Sequence, residues 1–189
     1  MKKSKILLFL LALLTFQSCS DGYYEVIKKP GNDDFNFPGN YIESELKVDG
    51  KDDENEWKNV KNSLNFGSNN KANLRLYRGE HALYAFFKVK DEDLQVVGNN
   101  DGDDVTKGDS IEIYFDFLND GGAKPQQDDI QINIGVHGRT RLFVGTGGEW
   151  GSWNGLIDYA ITMDGTLNSL DTELDVDKGY SIELMIPYK

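Results

Sequence analysis

The sequence predicts an all-β fold, an antiparallel β-sandwich, on three counts. Residues 109 to 117, DSIEIYFDF, put Ile111, Ile113, Phe115 and Phe117 on one face of an extended chain and Glu112, Tyr114 and Asp116 on the other, because side chains alternate along a strand. The same period of two returns in LYAFFKV from Leu83 and in DIQINIGV from Asp129, the pattern of half-buried strands. Nowhere does an apolar repeat of helical period last beyond a turn or two, so sheets must bury their apolar faces on each other.

At 189 residues the chain suits one domain with a substantial core. Its 20 Gly, 4 Pro and 39% apolar content fit a β-rich protein with many turns. A formal charge of -12 repels phosphate backbones and anionic headgroups, which argues against nucleic acid and leaves neutral ligands and cations as partners.

The N-terminus has the pattern of an export signal. Lys2, Lys3 and Lys5 precede an apolar run from Ile6 to Leu14, and Cys19 follows, the only cysteine in the chain. The run is too short to span a bilayer. It resembles a bacterial lipoprotein signal over residues 1 to 19, which implies cleavage before Cys19 and lipidation of its thiol, although Phe16 stands where such signals usually carry Leu. Residues 20 to 40, with Pro30, Pro38 and several Gly, Asn and Asp, read as a flexible tether. Asp21 resembles the acidic surface-export signals of some Bacteroidetes lipoproteins. The expected location is the cell surface, anchored to the outer membrane by lipid alone.

The domain then runs from 41 to 189. A strand is expected around Ile42 to Val48, a turn at Asp49-Gly50, and one helical turn carrying Trp57 and Val60. ANLRLYRGEHALYAFFKVKD, from Ala72, reads as a hairpin turning at Gly79. An acidic loop over 91 to 109 feeds the central strand, and DIQINIGV and RTRLFVG join through His137-Gly138. The Gly- and Trp-rich loop GTGGEWGSWNG has no strand pattern, and further strands are expected over 158–163, 172–176 and 180–186.

In this order VDGKDDENEW (48 to 57), LYAFFKVKDEDL (83 to 94), GDSIEIYFD (108 to 116), DIQINIG (129 to 135) and GYSIELMIPY (179 to 188) resemble the family 9 carbohydrate-binding modules and their DOMON-like relatives. The resemblance implies a sandwich that binds sugars without cleaving them, with bound calcium in several members. It also implies an aromatic clamp that this chain departs from. Thr106 stands where a sugar-stacking Trp is expected, and the chain stops at Lys189, where closing strands and a second aromatic would follow. Either the sequence is a fragment or this version lacks those strands. Glu112 matches the family's polar contact, and Gln131 or Asn133 falls where another is expected.

Sugars present many hydroxyls around a mildly apolar ring, so a site needs multidentate hydrogen-bonding groups and an aromatic platform. Candidates on the non-core faces are Arg75, Tyr77, Glu112, Tyr114, Gln131 and Asn133; the same faces could equally be plain solvated sheet. Trp150 and Trp153, among glycines, either supply the missing platform or plug the open end of the sandwich. Asp101, Asp103 and Asp104 have the oxygen density calcium wants, without EF-hand spacing. For haem, the axial set would have to come from His81, His137, Met163 and Met185, and haem is not expected. Glu112 and Asp116 lie four apart on one strand face and nothing marks an acid and a nucleophile, so no catalysis is expected. The expected function is capture of glycans for a polysaccharide-degrading or uptake system. The alternatives are a haem-binding electron-transfer domain and a structural adhesion module.

Overall fold

The computed structural model describes residues 41–43, 45–60, 63–67, 71–169 and 176–188. Cys19, the tether and nearly all of the strand expected over 172–176 lie outside these. Among the described residues, nine strands make two antiparallel sheets: β1 (Ser63–Phe66), β2 (Ala72–Arg78), β3 (Ala82–Val89), β9 (Gly179–Pro187) and β8 (Asp158–Asp164) in that spatial order, and β4 (Ser110–Asp116), β5 (Asp129–Gly135), β6 (Thr140–Gly145) and β7 (Trp150–Ser152) in the other. A single helical turn, α1 (Asn55–Lys58), and a 3-10 turn at Val105–Lys107 complete the described elements.

The period of two explains the core. Ile111, Ile113 and Phe115 of β4 register against Ile134, Ile132 and Ile130 of β5. This wall packs on Leu74, Leu76, Ala85, Phe87, Ile182 and Leu184 of the other sheet, all buried. Burying each large side chain contributes about 1.5 to 3 kcal/mol.

The five-stranded sheet buries its outer face as well. Tyr77, Tyr84 and Phe86 point away from the core and lie under Ile42, Leu46 and Trp57 of the preceding segment. Glu183, fully buried on β9, fastens that segment. One carboxylate oxygen accepts from Trp57 Nε1 at 2.8 Å and the other from the backbone N–H groups of Asp49 and Gly50, each at 2.9 Å. Burial raises this carboxyl above its ordinary range, against the pull of those three donors. One outer surface of the sandwich is thus largely occupied by the protein's own chain.

Two local expectations are corrected, and one strand was not foreseen. The described residues from 42 to 48 form no strand, because their apolar side chains serve as a cover instead of joining a ladder. Residues Ser63–Phe66 form β1 on the sheet edge, unforeseen from four residues. Within the Gly-rich loop, Trp150–Ser152 pair with β6 as β7.

Candidate functional site

Strand alternation sends Glu112 and Tyr114 of β4 outward, and the antiparallel register sets Asn133 beside Glu112 and Gln131 beside Tyr114. The four side chains form one connected polar group. Glu112 Oε1 accepts from Tyr114 Oη at 3.0 Å and from Gln131 Nε2 at 2.5 Å, and Gln131 Nε2 also approaches Asn133 Oδ1 at 3.2 Å. Although they face outward, Glu112 and Gln131 are each 8% exposed and Asn133 1%. Part of the cover comes from the 3-10 turn, where buried Val105 closes onto Gly135; a Cβ at Gly135 would crowd both Val105 and the His137 ring. Burial, then the Glu112 charge, pushes the Tyr114 phenol far above its ordinary range, so it stays a proton donor at neutral pH.

Continuing across the sheet, Arg141 of β6 stands beside Asn133, and Phe143 stands between Gln131 and Ser152. Trp150, 36% exposed at the start of β7, meets Tyr114 with ring centroids 5.8 Å apart and planes tilted by 55°. The Arg141 guanidinium lies 4.7 Å from the Phe143 ring centroid, and its Nη1 is 3.7 Å from Asp104 Oδ1. The result is a buried polar floor bordered by an aromatic ledge and by a cation. Arg141 and Phe143 were not anticipated, yet the alternation of RTRLFVG and its hairpin with β5 place them on this face.

The other candidates divide. Arg75 and Tyr77 belong to the opposite outer surface and are not brought to Glu112. Arg75 donates to Trp57 O at 3.0 Å and Asp52 Oδ2 at 2.9 Å, and stacks 4.6 Å from the Phe86 ring. Tyr77 donates to Glu56 O at 2.6 Å. Both are spent on holding the covering segment. Trp153 is half-buried against the main core with Gly155 pressed on its ring, so it plugs the sandwich edge while Trp150 faces outward.

Nor does the acidic loop gather its carboxylates. Asp101 accepts from Thr140 N, Asp103 from the N–H groups of Asn99 and Asn100, and Asp104 from Thr106 N and Oγ1. Each carboxylate thus has its own partners, and among the described residues the three do not converge as a group. Among the described residues, the carboxylates that converge to within 4.8 Å are those of Asp116, Asp128 and Asp129. Burial, and then Asp116 and Asp128, raise the Asp129 carboxyl above its usual range, while the Gln126 N–H opposes the rise. The residues considered for haem are dispersed: His81 adjoins the Ala82–Pro187 end of the five-stranded sheet and Met163 registers with Tyr180 at the other. His137 Nε2 is 2.7 Å from Gly98 O.

A family model described as "carbohydrate family 9 binding domain-like" matches residues 48–189. Among solved structures, a carbohydrate-binding protein candidate from Bacteroides uniformis superposes with a TM-score of 0.55 at 12% identity, covering 78% of this chain and 70% of that one. A family 9 carbohydrate binding module from Caldicellulosiruptor kristjanssonii, in complex with glucose, superposes with a TM-score of 0.50 at 19% identity, covering 79% and 68%. At these identities the likeness to the structures is one of fold. No curated protein matches the chain.

Proposed function

The chain belongs to the carbohydrate family 9 binding domain-like family, and on that premise we propose that it captures glycans, without cleaving them, on the outer face of the β4–β7 sheet. One observation carries the reading: the buried network of Glu112, Tyr114, Gln131 and Asn133 lies beside the outward-facing Trp150. Tyr114 and the accessible edges of Glu112 and Gln131 offer fixed acceptors and donors to hydroxyls, while buried Asn133 helps hold Gln131, so orientation costs little entropy. Trp150 supplies a ring-sized apolar surface in place of the aromatic absent at Thr106. The glucose-bound relative supports this reading by its fold and ligand.

Lipidation at Cys19 would hold the domain at the outer-membrane surface, where it would deliver glycans to a degrading or uptake system. That part of the proposal stands on the N-terminal sequence. A glycan-array screen of the soluble domain, followed by calorimetric titration of each hit, tests the binding reading. Expected are hits that Trp150→Ala weakens about tenfold. A blank array on folded protein would overturn it in favour of an adhesion module.

A further inference from the structure

Arg141 is a feature of this face that a neutral sugar does not call for. Its guanidinium lies 4.7 Å from the Phe143 ring centroid, and its side chain is 38% exposed. Among the described residues its side chain forms an ion pair at long range and no hydrogen bond. Its nearest anion, Asp104 Oδ1, is 3.7 Å away and already takes the hydroxyl and the N–H of Thr106, at 2.6 and 3.3 Å. Lys107 also approaches Asp104, at 3.8 Å. The guanidinium of Arg75, by contrast, has two acceptors within 3.0 Å. An arginine fork beside an aromatic ring, with one long-range ion pair and no short hydrogen bond among the described residues, matches two coplanar oxygens, which is the geometry of a carboxylate.

Position adds to this. Glu112, Asn133 and Arg141 form one row across β4, β5 and β6. Glu112 and Arg141 are therefore two strand spacings apart, roughly 10 Å, enough for one pyranose between an acceptor for hydroxyls and a donor for an anion. Resting on the glycan-binding reading above, we infer that the site selects a sugar bearing a carboxylate, a uronic acid, with Arg141 as the residue that reads it. The domain's net negative charge slows the approach of an anion, but at physiological ionic strength screening acts over about 8 Å, so charges beyond the site contribute little once the ligand is seated.

The test is calorimetry at physiological ionic strength with oligosaccharides ending in glucuronic or galacturonic acid, each against its glucose or galactose counterpart of the same linkage. The expected result is about tenfold tighter binding of at least one acid-ended sugar. Arg141→Gln should bring that ratio to about one, Arg141→Lys should retain part of it, and Asp104→Asn should raise it. Equal affinities in the wild type, tighter binding of the neutral sugars, or a ratio that survives Arg141→Gln would overturn the inference while leaving glycan capture intact. No binding of any sugar would overturn both.

Discussion

Asp109 offers a measurable consequence of how the acidic loop is fastened to β4. It is 9% exposed, accepts the Gln95 N–H at 2.6 Å, and lies near Asp91 and Asp93. Burial first, and then those two carboxylates, raise its pKa from 3.8 to about 7, against the pull of the Gln95 N–H. Between these values the folded protein keeps a proton that the unfolded chain has released, so stability falls as pH rises through the window and the full cost is present above it. Three units correspond to at most ~4 kcal/mol, and because water reaches exposed Asp93 beside it the expected value is about 2 kcal/mol. Asp109→Asn keeps the acceptor for Gln95 and removes the titration. Urea unfolding from pH 4 to 8 should show the variant gaining about 2 kcal/mol on the wild type across that range, with a Tm gain of about 4 to 8 °C at its upper end. Parallel pH profiles for the two proteins would refute the reasoning.

Other consequences follow from contacts already described. Glu183→Ala leaves Trp57 Nε1 and the N–H groups of Asp49 and Gly50 without their acceptor, and chemical denaturation should show a loss of about 3 to 5 kcal/mol. Gly145→Ala places a Cβ into the Gln126 backbone and should cost about 1 to 3 kcal/mol by the same assay, since backbone there cannot yield cheaply. Tyr114→Phe removes one of the two described donors to Glu112. Calorimetry should show glycan affinity lowered by about 1 kcal/mol with the fold retained by circular dichroism.

Much of the strand order was legible because alternation survives in single strands: Ile111, Ile113 and Phe115 declare an inward face whatever they pack against. Alternation does not say to which sheet a strand belongs. Arg75 and Tyr77 therefore looked like companions of Glu112, and only the pairing of β2 with β3 and β9 puts them on the opposite surface. What occupies that surface was hidden too. Ile42, Leu46 and Trp57 cover it from an irregular segment held by Glu183, whose partners are more than 120 positions away in the chain. Trp150 could not be told from Trp153, since a three-residue strand among glycines is too short to carry a period. Asp101, Asp103 and Asp104 have cation-like density in the sequence, whereas the backbone N–H groups each one accepts from are set by the loop's folding and were not legible there.

The most direct test of the central claim is a map of where a glycan binds. Backbone amide chemical shifts of the labelled domain, followed as an array-selected sugar is titrated in, distinguish the two outer surfaces. Expected are shifts concentrated in residues 110–116, 129–135 and 140–152, with the indole N–H of Trp150 among the largest. Shifts centred on β2, β3 and Trp57 instead would contradict it and move the site to the surface that the N-terminal segment covers.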